Sequence, residues 1–115
     1  MYFINVNQIM AWIYLLIAGI LEVVWAVGMK YSESWTKLYP SIFTIVAMVI
    51  GFYFLSLAVK SLPLGTAYAV WTGIGTVGTV IFGLILFKEP IDLIKAICIL
   101  LIMTGIVGLR LFHKA

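Results

Sequence analysis

A single acidic residue, Glu22, lies in the middle of a long apolar stretch. The stretch covers residues 11–29, AWIYLLIAGILEVVWAVGM, and Glu22 is its only acidic or basic residue. As a helix rising about 1.5 Å per residue, the stretch is about as long as the hydrocarbon core of a bilayer is thick. A charged carboxylate at that depth costs about 3 kcal/mol on insertion scales, so it is rare unless it faces an interior or a water-filled cavity. The position of Glu22 therefore predicts a functional site.

Aromatic residues at helical spacing predict the surroundings of this carboxylate. Trp25 follows Glu22 by one helical turn, and Tyr68 and Trp71 share a face of a second apolar run. Indole N–H and phenol O–H groups can donate hydrogen bonds to a carboxylate, and aromatic faces attract cations. The pattern favours a cation-binding site, although plain aromatic packing also accounts for these residues.

A buried carboxylate suits the exchange of protons for cations. In an apolar environment such a group can hold a proton near neutral pH and release it when a cation arrives. Competition for one site then gives antiport without a separate coupling device. Two such carboxylates in a dimer would couple their titrations. We expect protons as the coupling ion and no other cofactor.

The remaining reactive residues do not favour catalysis. His113 stands alone in the tail, and Cys98, the only cysteine, lies in an apolar stretch. The sequence has no nucleophile–base pair and no cluster with metal-ligand spacing, so we predict neither an enzyme nor a metal site. The net charge of +3 comes from basic residues scattered at the ends of apolar runs, which indicates interfacial anchors rather than a nucleic-acid partner.

The composition and the apolar runs define the elements that must position the site. Of the 115 residues, 65% are hydrophobic and 10% are charged, which is typical of a membrane protein. The runs at about residues 11–29, 39–59, 64–87 and 91–109 predict an all-α protein with four transmembrane helices. Residues 1–9 are assigned as an N-terminal extension and residues 10–115 as one transmembrane domain, with Met1 and Met10 both open as the start. The protein is expected to be a multi-pass protein of the cell inner (plasma) membrane.

The basic residues at the two ends of these helices are almost balanced in number. Lys and Arg normally bias cytoplasmic loops and so set the orientation of a membrane protein. Four residues lie on one side and three on the other: Lys30, Lys37, Lys88 and Lys95 against Lys60, Arg110 and Lys114. We interpret this as dual topology, which permits an antiparallel pair; a weak bias overridden by another signal is the alternative. A dimer is also the smallest unit that could enclose a substrate and shield Glu22 from lipid.

Small residues on the third and fourth helices suggest where parts move and meet. Gly73 and Gly75 are one residue apart, which weakens helix propensity and predicts a hinge. Cys98 and Gly105 are seven residues apart and share a face, which predicts a dimer contact because small residues let membrane helices approach closely. Ordinary packing explains this face equally well.

Four segments together resemble the small multidrug resistance family of four-helix, proton-coupled exporters. They are AGILEVVWAVGMKYS at residues 18–32, SLPLGTAYAVWTGIG at 61–75, LFKEP at 86–90 and TGIVGLRL at 104–111. The resemblance extends from Met10 to about Phe112. Trp25 one turn after the glutamate, together with the WTGIG segment, is similar to the guanidinium-exporter subtype.

This resemblance implies specific roles. Gly19 and Glu22 would line the central site, Trp25 and Trp71 would brace the carboxylate by hydrogen bonds, and Tyr68 would contribute to the site and its gate. It also implies an antiparallel homodimer in the bilayer that exports guanidinium or small guanidinyl cations in exchange for protons.

One position departs from the family pattern. A serine in the second helix usually joins the hydrogen-bond network of the glutamate, and the matching residue here is Gly51. The change leaves two family-level alternatives open, a broader exporter of quaternary ammonium compounds or drugs and one subunit of a paired heterodimer. A third alternative, from another class, is a membrane assembly or regulatory subunit that does not transport by itself, a role that would not require Glu22.

Overall fold

Four long helices make up the fold. The structure, a computed structural model, describes residues 6–112. The helices are α1 (Val6–Tyr31), α2 (Leu38–Ala58), α3 (Leu64–Leu86) and α4 (Leu93–Leu111). All four are long and apolar enough to cross a membrane, and no strand occurs between residues 6 and 112. The prediction of an all-α protein with four transmembrane helices is confirmed.

The ends of two helices differ from the predicted bounds. Helix α1 already begins at Val6, because no glycine or proline interrupts the segment before Gly19, so part of the assigned extension is helical. Helix α4 begins at Leu93, because Asp92 is its N-cap and accepts a hydrogen bond from the Lys95 backbone N–H at 2.8 Å. The division into residues 1–9 and 10–115 stays a prediction. Residues 1–5 and 113–115, with His113 and Lys114, lie outside the described residues.

Helix α1 is the central element of the packing. Helices α2 and α3 both pack against it, α2 and α3 scarcely touch each other, and α4 packs against α3. Small side chains dominate the contacts, which allows the close helix approach common in membranes. The main buried cluster consists of Ala11, Leu15, Ala18, Ala58, Leu62, Ala67, Val70 and Trp71.

Helix α4 contributes no buried residue to this core. Cys98 is exposed, and a Cβ atom added at Gly105 would meet nothing within 4 Å. The face predicted to contact a second subunit is therefore uncovered in the single chain. The dimer contact itself stays a prediction.

Polar and aromatic contacts connect the helix ends. Lys30 Nζ lies 3.5 Å from Glu89 Oε2 and 5.2 Å from the ring centroid of Phe87, which ties the end of α1 to the α3–α4 connection. At the opposite end, the Arg110 guanidinium lies 5.1 Å from the ring centroid of Trp12, which brings the end of α4 to the start of α1. These contacts join the α3–α4 connection and the end of α4 to the two ends of α1.

A close α1–α2 contact involves Gly28 and Thr44, and it gives a stability prediction. Thr44 is fully buried, and its Oγ1 donates to the Pro40 carbonyl at 2.7 Å, so it cannot easily rotate away. A Cβ at position 28 would overlap Thr44 Oγ1. We expect Gly28→Ala to destabilise the protein by about 1–3 kcal/mol, the usual effect of overpacking.

Thermal unfolding in detergent measures this effect. The double variant Gly28→Ala/Thr44→Ala should recover part of the loss, because the truncated side chain makes room for the new methyl group. Additive losses in the double variant would show that Gly28 and Thr44 do not form the limiting contact.

Candidate functional site

Glu22 lies against the backbone of α3. Of the four acidic residues in the sequence, it is the only one inside a helix. A Cβ at Gly75 would overlap its carboxylate, so the side chain occupies the space that glycine leaves open. Its Oε1 is buried and has no hydrogen-bond partner within residues 6–112. The carboxylate is therefore an acceptor available to a proton or a cation.

Trp25 supplies an unused donor one helical turn further along α1. Its indole Nε1 is buried and also lacks a partner in the described chain. Its ring lies against Phe52 of α2, with the ring centroids 6.3 Å apart. A Cβ at Gly51 would lie 3.9 Å from Trp25 Nε1. Trp25 is thus placed between α1 and α2 with its N–H free.

Trp71 is buried at the α1–α3 contact, but its hydrogen bond differs from the expected one. Its Nε1 donates to the Ala18 carbonyl at 3.3 Å, not to the Glu22 carboxylate. Ala18 precedes Glu22 by one helical turn, so the indole contacts the backbone of α1 one turn before the carboxylate. In the described chain the Trp71 indole therefore links α3 to the backbone of α1 and forms no direct hydrogen bond with Glu22.

Tyr68 lies at the open side of this aromatic group. Its side chain is 55% exposed, and its ring meets Trp71 edge-on with the centroids 5.1 Å apart. Phe52 lies 6.1 Å from Trp71 and thus contacts both tryptophans. Sequence reasoning missed Phe52, because it is one of several aromatic residues in α2 and no spacing rule distinguishes it.

The predicted glycines serve different helix contacts. A Cβ at Gly19 would come within 2.6 Å of Ile74 Cγ2, so Gly19 lets α1 and α3 approach closely. A Cβ at Gly73 would come within 2.6 Å of Ile106 Cδ1, so Gly73 serves the α3–α4 contact. Helix α3 is continuous across Gly73 and Gly75. The hinge stays a prediction. Close packing is a second explanation for glycine at positions 73 and 75.

A separate apolar groove of about 440 Å³ lies near one end of the bundle. Val27 and Tyr31 line it, and helical spacing places them on the side of α1 opposite Glu22 and Trp25. None of the predicted site residues lines it. The groove and the predicted site residues therefore lie in different parts of the bundle.

The site combines one carboxylate acceptor with aromatic walls and an indole donor. This set of groups can bind a flat cation by charge, by hydrogen bonds and by contact with aromatic faces. No group of three or more His, Cys, Asp or Glu residues that could hold a metal ion occurs in the described part of the chain. The arrangement defines a four-helix membrane protein that holds one carboxylate between its helices.

Comparison with known proteins identifies the family. The sequence profile of the Small Multidrug Resistance protein family matches residues 10–102. The chain is 54% identical to a guanidinium exporter of Proteus vulgaris and 56% identical to one of Yersinia pseudotuberculosis serotype I, in each case over 102 residues that cover 89% of this chain and 98% of the relative. A guanidinium exporter of Salmonella typhimurium is 56% identical over 102 residues, which cover 89% of this chain and 97% of the relative.

The chain belongs to the Small Multidrug Resistance protein family. This confirms the resemblance found in the sequence, including its subtype. The family comprises membrane transporters, so the prediction that the chain is not an enzyme is confirmed as well. Membership of this family, together with the four membrane-spanning helices, establishes a multi-pass protein of the inner (plasma) membrane.

Proposed function

We propose that this protein exports guanidinium or small guanidinyl cations in exchange for protons, with Glu22 binding the two in turn. The observation that carries the proposal is the Glu22 Oε1 atom, which is buried and unpaired. It lies in the space that Gly75 of α3 leaves open by having no side chain. The similarity to guanidinium exporters over most of the chain supports the substrate.

Binding uses the shape of the cation. Guanidinium is planar and can pair with a carboxylate through two parallel N–H···O bonds, which are stronger than bonds between neutral groups. Trp71 and Phe52 provide aromatic faces that suit a flat ion. A bulky aromatic cation would need these rings to move apart, so the site favours small cations.

Exchange follows from competition for the carboxylate. A protonated Glu22 cannot form the charged pair, so the cation must displace the proton before it binds. After the site opens to the other side of the membrane, a proton displaces the cation. Each turnover then moves the two ions in opposite directions.

The functional unit in this proposal is an antiparallel homodimer. The nearly balanced basic residues permit both orientations. Helix α4 has no fully buried residue in the single chain, and Tyr68 leaves the site open on one side. A second copy would cover α4 and close the site around the two carboxylates.

Transport by the purified chain alone tests the function. In proteoliposomes with a proton gradient, we expect guanidinium flux and accompanying proton movement, and at least about tenfold slower movement of tetraphenylphosphonium, because the aromatic walls must separate to admit it. Tetraphenylphosphonium moving as fast as guanidinium would favour a broad drug exporter. Flux that appears only after a homologous subunit is added would favour a paired heterodimer.

A further inference from the structure

Trp25 carries a hydrogen-bond donor that no other group among residues 6–112 uses. Its Nε1 is buried from solvent and unpaired. Buried donors are nearly always satisfied in folded proteins, because desolvating them without a partner is unfavourable. Trp25 follows the proposed binding carboxylate by one helical turn. An acceptor atom of the bound ligand would satisfy its unpaired N–H.

Gly51 lies beside this donor and has no side chain that could accept its hydrogen bond. A Cβ at position 51 would lie 3.9 Å from Trp25 Nε1, 3.9 Å from the Ala18 carbonyl oxygen and 3.2 Å from Leu21 Cβ. The hydroxyl of a serine at position 51, one bond further out, could come within hydrogen-bonding distance of the indole. Glycine offers no such acceptor, and the indole N–H stays unpaired among residues 6–112.

We infer that Trp25 and Gly51 form a subsite beside Glu22 that recognises a hydrogen-bond acceptor on the substituent of a guanidinium cation. Glu22 accepts from the guanidinium N–H groups, while the Trp25 N–H donates to an oxygen of the substituent. The inference rests on the proposed function, because it requires the cation to bind at Glu22. It adds a preference: substituted guanidiniums with an oxygen acceptor bind better than those with an apolar group of the same size.

N-hydroxyguanidinium and N-methylguanidinium are a matched pair of probes, because a hydroxyl replaces a methyl group of similar size. Each is measured as a competitor of guanidinium flux in proteoliposomes containing the full chain. We expect the hydroxyl compound to compete about threefold to tenfold better, the contribution of one hydrogen bond. Comparing this ratio between variants removes the intrinsic difference in hydration between the two probes.

Three variants separate the effect of the Trp25 N–H donor from the effect of added volume at position 51. Trp25→Phe keeps an aromatic ring but removes the N–H, so the ratio should fall toward one. Gly51→Ser supplies an internal acceptor for the indole and should lower the ratio in the same way. Gly51→Ala adds the same Cβ without an acceptor, so it should affect both probes together and keep the ratio.

The outcomes distinguish this inference from the function on which it rests. A wild-type protein that transports guanidinium but does not distinguish the two probes overturns the subsite alone. A ratio of the two probes' competition that persists in Trp25→Phe also overturns the subsite, because another group must then bind the hydroxyl. Absence of guanidinium flux in the wild type overturns the proposed function and the subsite with it. Should Gly51→Ser fail to fold, Trp25→Phe still decides.

Discussion

Glu22→Gln should abolish guanidinium-driven proton release and reduce transport about a hundredfold or more. Glutamine keeps nearly the same volume and removes only the titratable charge. Breaking a buried charged pair by removing one partner costs about 3 kcal/mol or more, which corresponds to at least about a hundredfold in affinity. Proton release on adding guanidinium to the detergent-solubilised protein at mildly acidic pH measures the effect directly. The wild type should release protons and the variant none.

Asp92→Asn is the matched control for this experiment. Asp92 caps α4 by accepting from the Lys95 N–H, and asparagine caps helices about as well as aspartate. The control removes one carboxylate outside the helices and should leave transport nearly intact. Proton release that persists in Glu22→Gln would mean that another group carries the coupling.

Gly75→Ala should lower transport by about tenfold to a hundredfold with little change in thermal stability. The added Cβ would overlap the Glu22 carboxylate, which is the far end of a flexible side chain and can move aside. The fold therefore tolerates the methyl group, but the carboxylate loses its position. A displacement that costs about 1–3 kcal/mol in binding gives the stated range. Guanidinium flux and the unfolding temperature, measured on the same preparation, separate the two effects.

Gly65→Ala provides the comparison within the same helix. A Cβ at Gly65 would meet nothing within 4 Å, so this variant should match the wild type in both measurements. Full transport by Gly75→Ala would show that the observed position of the Glu22 carboxylate is not needed. A large fall in its unfolding temperature would show instead that Gly75 is mainly a packing residue.

The number and class of the elements could be predicted from the sequence, because the bilayer imposes them. Without water in the hydrocarbon core, backbone groups must pair within a segment, so long apolar runs form helices. The predicted bounds of α2 and α3 differ from the observed ones by no more than a residue at either end. The predicted α1 is too short because its first turns are mildly polar. A fall in hydropathy marks the end of the apolar run, but the helical backbone continues through these polar residues.

The contacts of the site were less predictable, because they depend on how helices rotate against one another. Spacing placed Trp25 on the same face as Glu22. It could not show that Trp71 would donate to the Ala18 carbonyl or that Gly75 would receive the carboxylate. Both contacts join residues more than fifty positions apart, and small differences in helix rotation exchange one partner for another. Phe52 escaped prediction for the same reason.

The central position of α1 has a consequence for biosynthesis. The ribosome makes α1 first, and both α2 and α3 can pack on it as each one enters the membrane. Helix α4 follows the other three along the chain and adds no buried residue, so nearly all of the core of the subunit can form before α4 is made. A chain that has just left the insertion machinery would thus already be folded around α1, while much of the surface of α4 would still be uncovered.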